Sequence, residues 1–212
     1  MQLDIVSDFV CPWCYVGKRR LEKALSERPD VNVTIRWLPF QLSPDLPPEG
    51  VDRREYYASI FGAERAEQIM ASMADTGAEE GIEFQTKEGA MSPNTLAAHT
   101  VMELAQSDPN ADADKLAEAL FHAHHVDCEN IGDIDVLTRI AADCGLPAGS
   151  ISACLEDPAN HERVQGLIQL SAQRGISGVP FFIFDDRYGL SGAQPVDEFI
   201  ATLDQVQAAS AA

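Results

Sequence analysis

Two cysteines, Cys11 and Cys14, enclose Pro12 and Trp13 near the start of the chain. A pair at this spacing can serve redox exchange, a metal or a structural bridge, because the thiolate is both nucleophile and soft ligand. A four-thiolate zinc site needs a second close pair. Cys128, Cys144 and Cys154 stand singly, which favours redox chemistry. With Pro12 as the first helical residue, Cys11 takes the capping position. Its sulfur would then face the free amides of Trp13 and Cys14, and those donors with the helix dipole favour the thiolate. Cys14 lies almost one turn deeper, within disulfide reach. The expectation is an exposed attacker, Cys11, and a shielded resolver, Cys14. A second element is Gly175-Ile176-Ser177-Gly178-Val179-Pro180-Phe181. A proline directly before a strand, after a glycine-bounded loop, makes Val179-Pro180 a candidate cis peptide.

These residues need elements to position them. Gln2 to Ser7 alternates, with Leu3 and Ile5 on one parity, as a short strand does. A helix is expected from Pro12 to about Glu27, stopped by Arg28-Pro29-Asp30, and a second strand over Val31 to Leu38. Pro39, Pro44, Pro47 and Pro48 then lead out of the sheet. Helices are predicted over Arg53–Ile60, Ala63–Thr76, Pro93–Gln106, Ala113–His125, Ile134–Cys144 and Asn160–Arg174, with a short one near Gly149–Glu156. Ser92 before Pro93 reads as a capping start, Asp133 as the cap of the Ile134 helix, and Gly145 as its left-handed stop. Val179 to Phe184 reads as a strand, Asp185-Asp186-Arg187 as a turn and Tyr188 to Gly192 as the hairpin partner. Pro195 to Val206 is a last helix, and Gln207 to Ala212 is expected to fray. Right-handed crossovers make the first two strands parallel, and the hairpin closes the sheet. This order is that of an α/β, thioredoxin-like fold with an inserted all-helical domain. Residues 1–40 and 160–212 are expected to form the first unit and 41–159 the insertion.

Bulk properties exclude several classes. Acidic side chains number 34 against 15 basic, a formal net charge of −19. Nucleic acid and anionic membrane surfaces both need a basic face, so neither is an expected partner. No apolar run approaches the roughly 20 residues that span a bilayer. Asp4 and Asp8 interrupt the apolar start, unlike a secretory signal, so the expected mature chain begins at Met1 in the reducing cytoplasm. Five cysteines, an odd number, argue against a structural disulfide framework.

Ser7-Asp8-Phe9-Val10-Cys11-Pro12-Trp13-Cys14-Tyr15-Val16-Gly17, Gly178-Val179-Pro180-Phe181-Phe182-Ile183-Phe184 and Gly189-Leu190-Ser191-Gly192-Ala193-Gln194 together resemble the DsbA-like oxidoreductases of the FrnE type. Ser92-Pro93-Asn94-Thr95 and Asn130-Ile131-Gly132-Asp133 resemble the helical domain of the same family. The resemblance implies Cys11 as nucleophile, Cys14 as resolver and Pro180 as a cis-proline beside them. It implies that the Val179 backbone pairs with bound peptide or thiol, as an added strand would. Related kappa-type glutathione transferases and 2-hydroxychromene-2-carboxylate isomerases usually carry serine at the position of Cys11 and lack a partner for it. Some FrnE-type proteins have a second cysteine pair near the C-terminus; here no cysteine follows Cys154.

Other candidates are weaker. Pro12, Trp13, Phe9, Val179 and Asn94 are the candidate substrate-binding residues. Phe9 also reads as core, Trp13 as packing over the first helix and Asn94 as part of a helix start. His122, His124, His125 and Cys128 cluster in sequence, and on a continuous helix His124 and Cys128 share a face. Their plain reading is packing or surface, and no metal is assigned. Cys128, Cys144 and Cys154 read as small buried residues.

The leading expectation is a dithiol oxidoreductase that reduces or isomerises disulfides in a protein or small-thiol substrate. It needs no cofactor, with glutathione compatible as co-substrate. The alternatives are a glutathione-dependent isomerase or transferase and a non-catalytic, chaperone-like binding module. The oligomeric state stays open, a homodimer included.

Overall fold

The computed structural model describes residues 1–210. The chain opens with β1 (Gln2–Ser7), α1 (Pro12–Glu27) and β2 (Thr34–Pro39). β1 pairs in parallel with β2, from Gln2 opposite Thr34 to Ser7 opposite Pro39. After a long helical excursion the chain returns as β5 (Phe181–Phe184), β6 (Tyr188–Ser191) and α9 (Val196–Ser210). β5 runs antiparallel to β1, and β6 antiparallel to β5, giving the sheet order β2-β1-β5-β6. This is the thioredoxin-like order expected from the sequence. β1 is buried throughout except at Gln2, so both of its faces are covered. That explains its apolar residues on both parities.

The excursion contains β3 (Val51–Asp52), α2 (Arg53–Phe61), α3 (Ala63–Glu79), β4 (Met91–Ser92), α4 (Leu96–Ser107) and α5 (Ala113–His122). A single π turn over Ala123–Asp127 follows, then α6 (Ile134–Asp143), α7 (Ala148–Glu156) and α8 (Pro158–Gln173). Aspartate caps set several starts: Asp52 accepts from Glu55 N, Asp112 from Lys115 N, Asp133 from Val136 N and Asp157 from Ala159 N. The boundary read at 159/160 falls inside the first turn of α8.

Several expectations are corrected. No helix starts at Pro93: Ser92 is committed to β4, opposite Val51, and α4 begins at Leu96. The capping acceptor is Asn94 Oδ1, which receives the Leu96 amide at 3.0 Å. The helix expected to reach His125 stays α-helical only to His122, because the π turn intervenes. Cys128 then adopts φ = 61°, so His124 and Cys128 do not share one α-helical face. The segment from Gln207 to Ser210 continues α9 instead of fraying; Ala211 and Ala212 lie outside the described residues.

The insertion is sewn to the sheet by aromatic packing. Phe121 of α5 stacks on Tyr15 of α1 at 5.2 Å and 7°, and meets Phe9 edge-on at 5.2 Å and Trp37 at 6.2 Å. Offset and edge-on geometries of this kind add to the area these rings bury. Among the described residues no helix is long and apolar enough to cross a membrane.

Candidate active site

Cys11 caps α1 with extended backbone angles and Pro12 opens the helix, as the sequence indicates. The Cys11 amide donates to the Asp8 carbonyl at 3.0 Å, which closes the turn out of β1. The thiol does not cap the helix: the Cys14 amide goes to the Cys11 carbonyl at 3.1 Å, and no side-chain cap bond forms. Instead Cys11 Sγ points across the site to the Val179 carbonyl, 3.8 Å away. The helix dipole therefore reaches the sulfur without a direct amide contact.

The Val179-Pro180 peptide is cis. The loop before β5 thus brings the Val179 carbonyl beside the thiol. Pro180 itself packs against α1, where Gly17 leaves room for the proline ring.

Both cysteines are free and buried, Cys11 at 4% exposure and Cys14 at 2%. The expectation of an exposed Cys11 is corrected: the Val179 side of the cis-proline segment covers its sulfur. Burial pushes the Cys14 thiol well above its ordinary range, and the neighbouring Cys11 pushes the same way. Ser7 and the Asp8 backbone pull partly back.

Asp8 is a site residue that sequence reasoning missed. It is wholly buried, and its backbone carbonyl accepts the Cys11 amide. Oδ2 accepts the Leu42 amide at 2.7 Å, while Oδ1 has no hydrogen-bond partner and lies 3.5 Å from His99 Nε2. That nitrogen donates to the Phe40 carbonyl at 2.8 Å. An acidic residue directly after a buried strand, three positions before a cysteine, was the available signal.

The remaining candidates divide. Trp13 stands 43% exposed beside Cys11, and Pro12 and Val179 are half-buried, so all three border the dithiol. Phe9 is corrected from a substrate contact to core: its buried ring packs on His99 at 4.9 Å and on Phe121. Asn94 is spent on structure. Its Nδ2 donates to the Pro44 and Leu46 carbonyls and its Oδ1 accepts from Gln41, so it holds the 41–46 loop.

The histidines do not act as a set. His122 is exposed and pairs with Asp127 at 2.9 Å. His124 and His125 are buried. Burial, reinforced by Arg53, holds His124 well below the usual range and takes His125 down to about 3. Among the described residues no group of three His, Cys, Asp or Glu is placed to hold a metal ion. Cys144 is buried as expected, whereas Cys128 and Cys154 are half-buried.

Comparison with known proteins agrees with this fold. The structure of a probable DsbA oxidoreductase from Streptomyces coelicolor matches at TM-score 0.88 and 31% identity, covering 98% of this chain and 90% of that one. A 2-hydroxychromene-2-carboxylate isomerase shares the fold at TM-score 0.73 and 14% identity, covering 100% of each chain. So does DsbM, a cytosolic disulfide reductase of Pseudomonas aeruginosa solved with GSH, at TM-score 0.63 and 20% identity over 97% of this chain and 98% of that one. The family described as the DSBA-like thioredoxin domain matches residues 2–204, and the chain belongs to it.

Proposed function

We propose that this chain is a thiol–disulfide oxidoreductase whose working groups are Cys11 and Cys14. The observation that carries the reading is the thiol of Cys11 at the head of α1, 3.8 Å from the Val179 carbonyl, with Cys14 directly beneath. A substrate strand laid along Val179 brings its disulfide to that sulfur. The Cys11 thiolate attacks one substrate sulfur, and the other leaves as a thiolate that takes up a proton. Cys14 then loses its proton, attacks Cys11 Sγ and expels the second substrate thiolate. Two electrons pass to the substrate, and Cys11–Cys14 is left as a disulfide. Two molecules of a small thiol return the pair to the dithiol state and leave joined as their own disulfide; glutathione is the candidate, since the cytosolic reductase DsbM was solved with it. No further cofactor enters the cycle, and a reducing cytoplasm suits reduction or isomerisation more than oxidation.

Insulin reduction with dithiothreitol or glutathione tests this. Cys11→Ser should abolish turnover, and Cys14→Ser should accumulate a mixed disulfide on Cys11. Full turnover by Cys11→Ser would overturn the reading.

A second reading, a glutathione-dependent isomerase, is favoured by the full-length likeness to the carboxylate isomerase fold. It requires isomerisation of a chromene carboxylate that survives Cys14→Ser. The presence of two thiols at the head of α1 favours the disulfide reading.

A further inference from the structure

One carboxylate of the helical insertion gathers three side chains of the dithiol helix. Glu118 of α5 accepts the Tyr15 hydroxyl at 2.7 Å and Lys18 Nζ at 2.9 Å, and it pairs with Arg19. Two of the donors tie to each other as well. Arg19 Nη2 donates to the Tyr15 oxygen at 3.1 Å, and its guanidinium lies 5.1 Å from the Tyr15 ring centroid. Residues 15, 18 and 19 share one face of α1. Phe121, one turn after Glu118, stacks on the same Tyr15 ring.

The opposite face of α1 is equally constrained. A Cβ on Gly17 would stand 3.1 Å from the Pro180 ring and 3.1 Å from Phe182. α1 therefore sits between two stops: the cis-proline segment on the sheet side and the Glu118–Phe121 face of α5 on the other. Tyr15 directly follows Cys14, so any shift of this turn moves both sulfurs against Val179.

We propose that Glu118 is a positioning residue for the dithiol: by holding Tyr15, Lys18 and Arg19 it seats α1 against Pro180 and fixes Cys11 relative to the Val179 carbonyl. The helical insertion thus sets the redox properties of a site built on the other unit. Burial opposes the charge on Glu118, but Tyr15, Lys18 and Arg19 together hold its carboxyl below the usual range, so the clamp is ionised at neutral pH. This inference rests on the dithiol reading above.

The test uses the full chain with Glu118→Ala, Tyr15→Phe and, as control, Glu22→Gln. Glu22 pairs with the same Lys18 and Arg19 but lies on α1 itself, so its loss removes charge without undocking the helix. The readouts are the glutathione equilibrium of the Cys11–Cys14 pair and kcat and KM for insulin reduction. Glu118→Ala should shift the equilibrium constant by about threefold or more and lower kcat about tenfold, with KM changed less, as a misplaced reacting group does. Tyr15→Phe keeps the ring stacking and should move both quantities in the same direction by less; it decides alone if Glu118→Ala does not fold. Glu22→Gln should match wild type. Folded variants that only lose stability, with equilibrium and kcat unchanged, would overturn the proposal, as would an equal effect of Glu22→Gln. A wild-type chain without exchange activity would overturn the dithiol reading and this inference with it, whereas an active wild type matched by both clamp variants would overturn this inference alone.

Discussion

Gly17 and Pro180 meet without a spare methyl's width between them: a Cβ on Gly17 would lie 3.1 Å from the Pro180 ring carbon. Phe182, equally close, is fully buried and cannot retreat. Alanine at position 17 would favour the helix by up to about 1 kcal/mol. Overpacking against a rigid ring and a core phenylalanine costs roughly 1–3 kcal/mol, so the crowding wins. Gly17→Ala should lower the urea midpoint and slow disulfide exchange, because α1 must move away from the Val179 carbonyl. An unchanged midpoint would show that the helix can yield.

The order of thiol reactivity follows from burial. Cys14 is enclosed, and its thiol is pushed well above the ordinary range by burial and by Cys11. Native chain treated with iodoacetamide at neutral pH should label Cys128 and Cys154, which are half-buried, well before Cys14. Peptide mapping by mass spectrometry reads the order. Rapid labelling of Cys14 in the native chain would contradict its enclosure.

Stability should fall on mild acidification. His125 is buried neutral, with its value depressed from 6.5 to about 3, and His124 is depressed as well. Below the ordinary histidine range the unfolded chain takes up protons that the folded chain refuses. The contribution is complete above about pH 6.5 and is lost as the pH falls toward 3. Each such group gives a slope of about 1.4 kcal/mol per pH unit within that window. Urea unfolding at pH 7.0 and 5.5 measures it. His125→Phe should flatten the dependence, since an aromatic ring still packs against Tyr15 and Phe84.

Asn94 separates a structural role from a substrate contact. Asn94→Ala removes the donors to the Pro44 and Leu46 carbonyls and the acceptor for Gln41. The expected loss is roughly 1–3 kcal/mol, because carbonyls in a half-buried loop lose their partners. KM for insulin should stay at the wild-type value. A raised KM with unchanged stability would return Asn94 to the binding surface.

Trp13 should behave oppositely. Its side chain is 43% exposed beside Cys11, so Trp13→Ala should change stability by less than about 0.5 kcal/mol. In the proposed reaction its ring offers an apolar platform next to the substrate disulfide. KM for a peptide disulfide should therefore rise while kcat changes little.

The parts legible in the sequence were those written in local chemistry. Pro12 after a capping Cys11 announced the start of α1, and the alternation at Leu3 and Ile5 announced β1. The hairpin was readable because Asp185-Asp186-Arg187 separates two apolar runs, and Asp185 and Asp186 indeed take positive φ. What escaped depended on distant partners. Ser92 and Pro93 look like a helix start in isolation, but Ser92 pairs with Val51, so tertiary pairing overrode a local signal. The π turn at Ala123–Asp127 left no mark in composition, and it turned an apparent histidine–cysteine face into two buried histidines and a separate thiol. Asp8 looked like a charge interrupting an apolar start. Its meaning lies in Leu42 and His99, which no spacing rule connects to it. Glu118 was one acid among many on an acidic chain until α1 was laid against it.

Cys11 meets the Val179 carbonyl across 168 residues of chain. β1, which carries the dithiol loop, has its second neighbour β5 slightly farther downstream. A ribosome adding about 5–20 residues per second needs roughly ten to thirty seconds to cover that distance. Throughout that interval the nascent chain displays both sulfurs with no cover from the cis-proline segment. The vulnerable moment for this protein is therefore its own synthesis, when a stray oxidant or a neighbouring nascent cysteine can capture the pair before the last strands arrive.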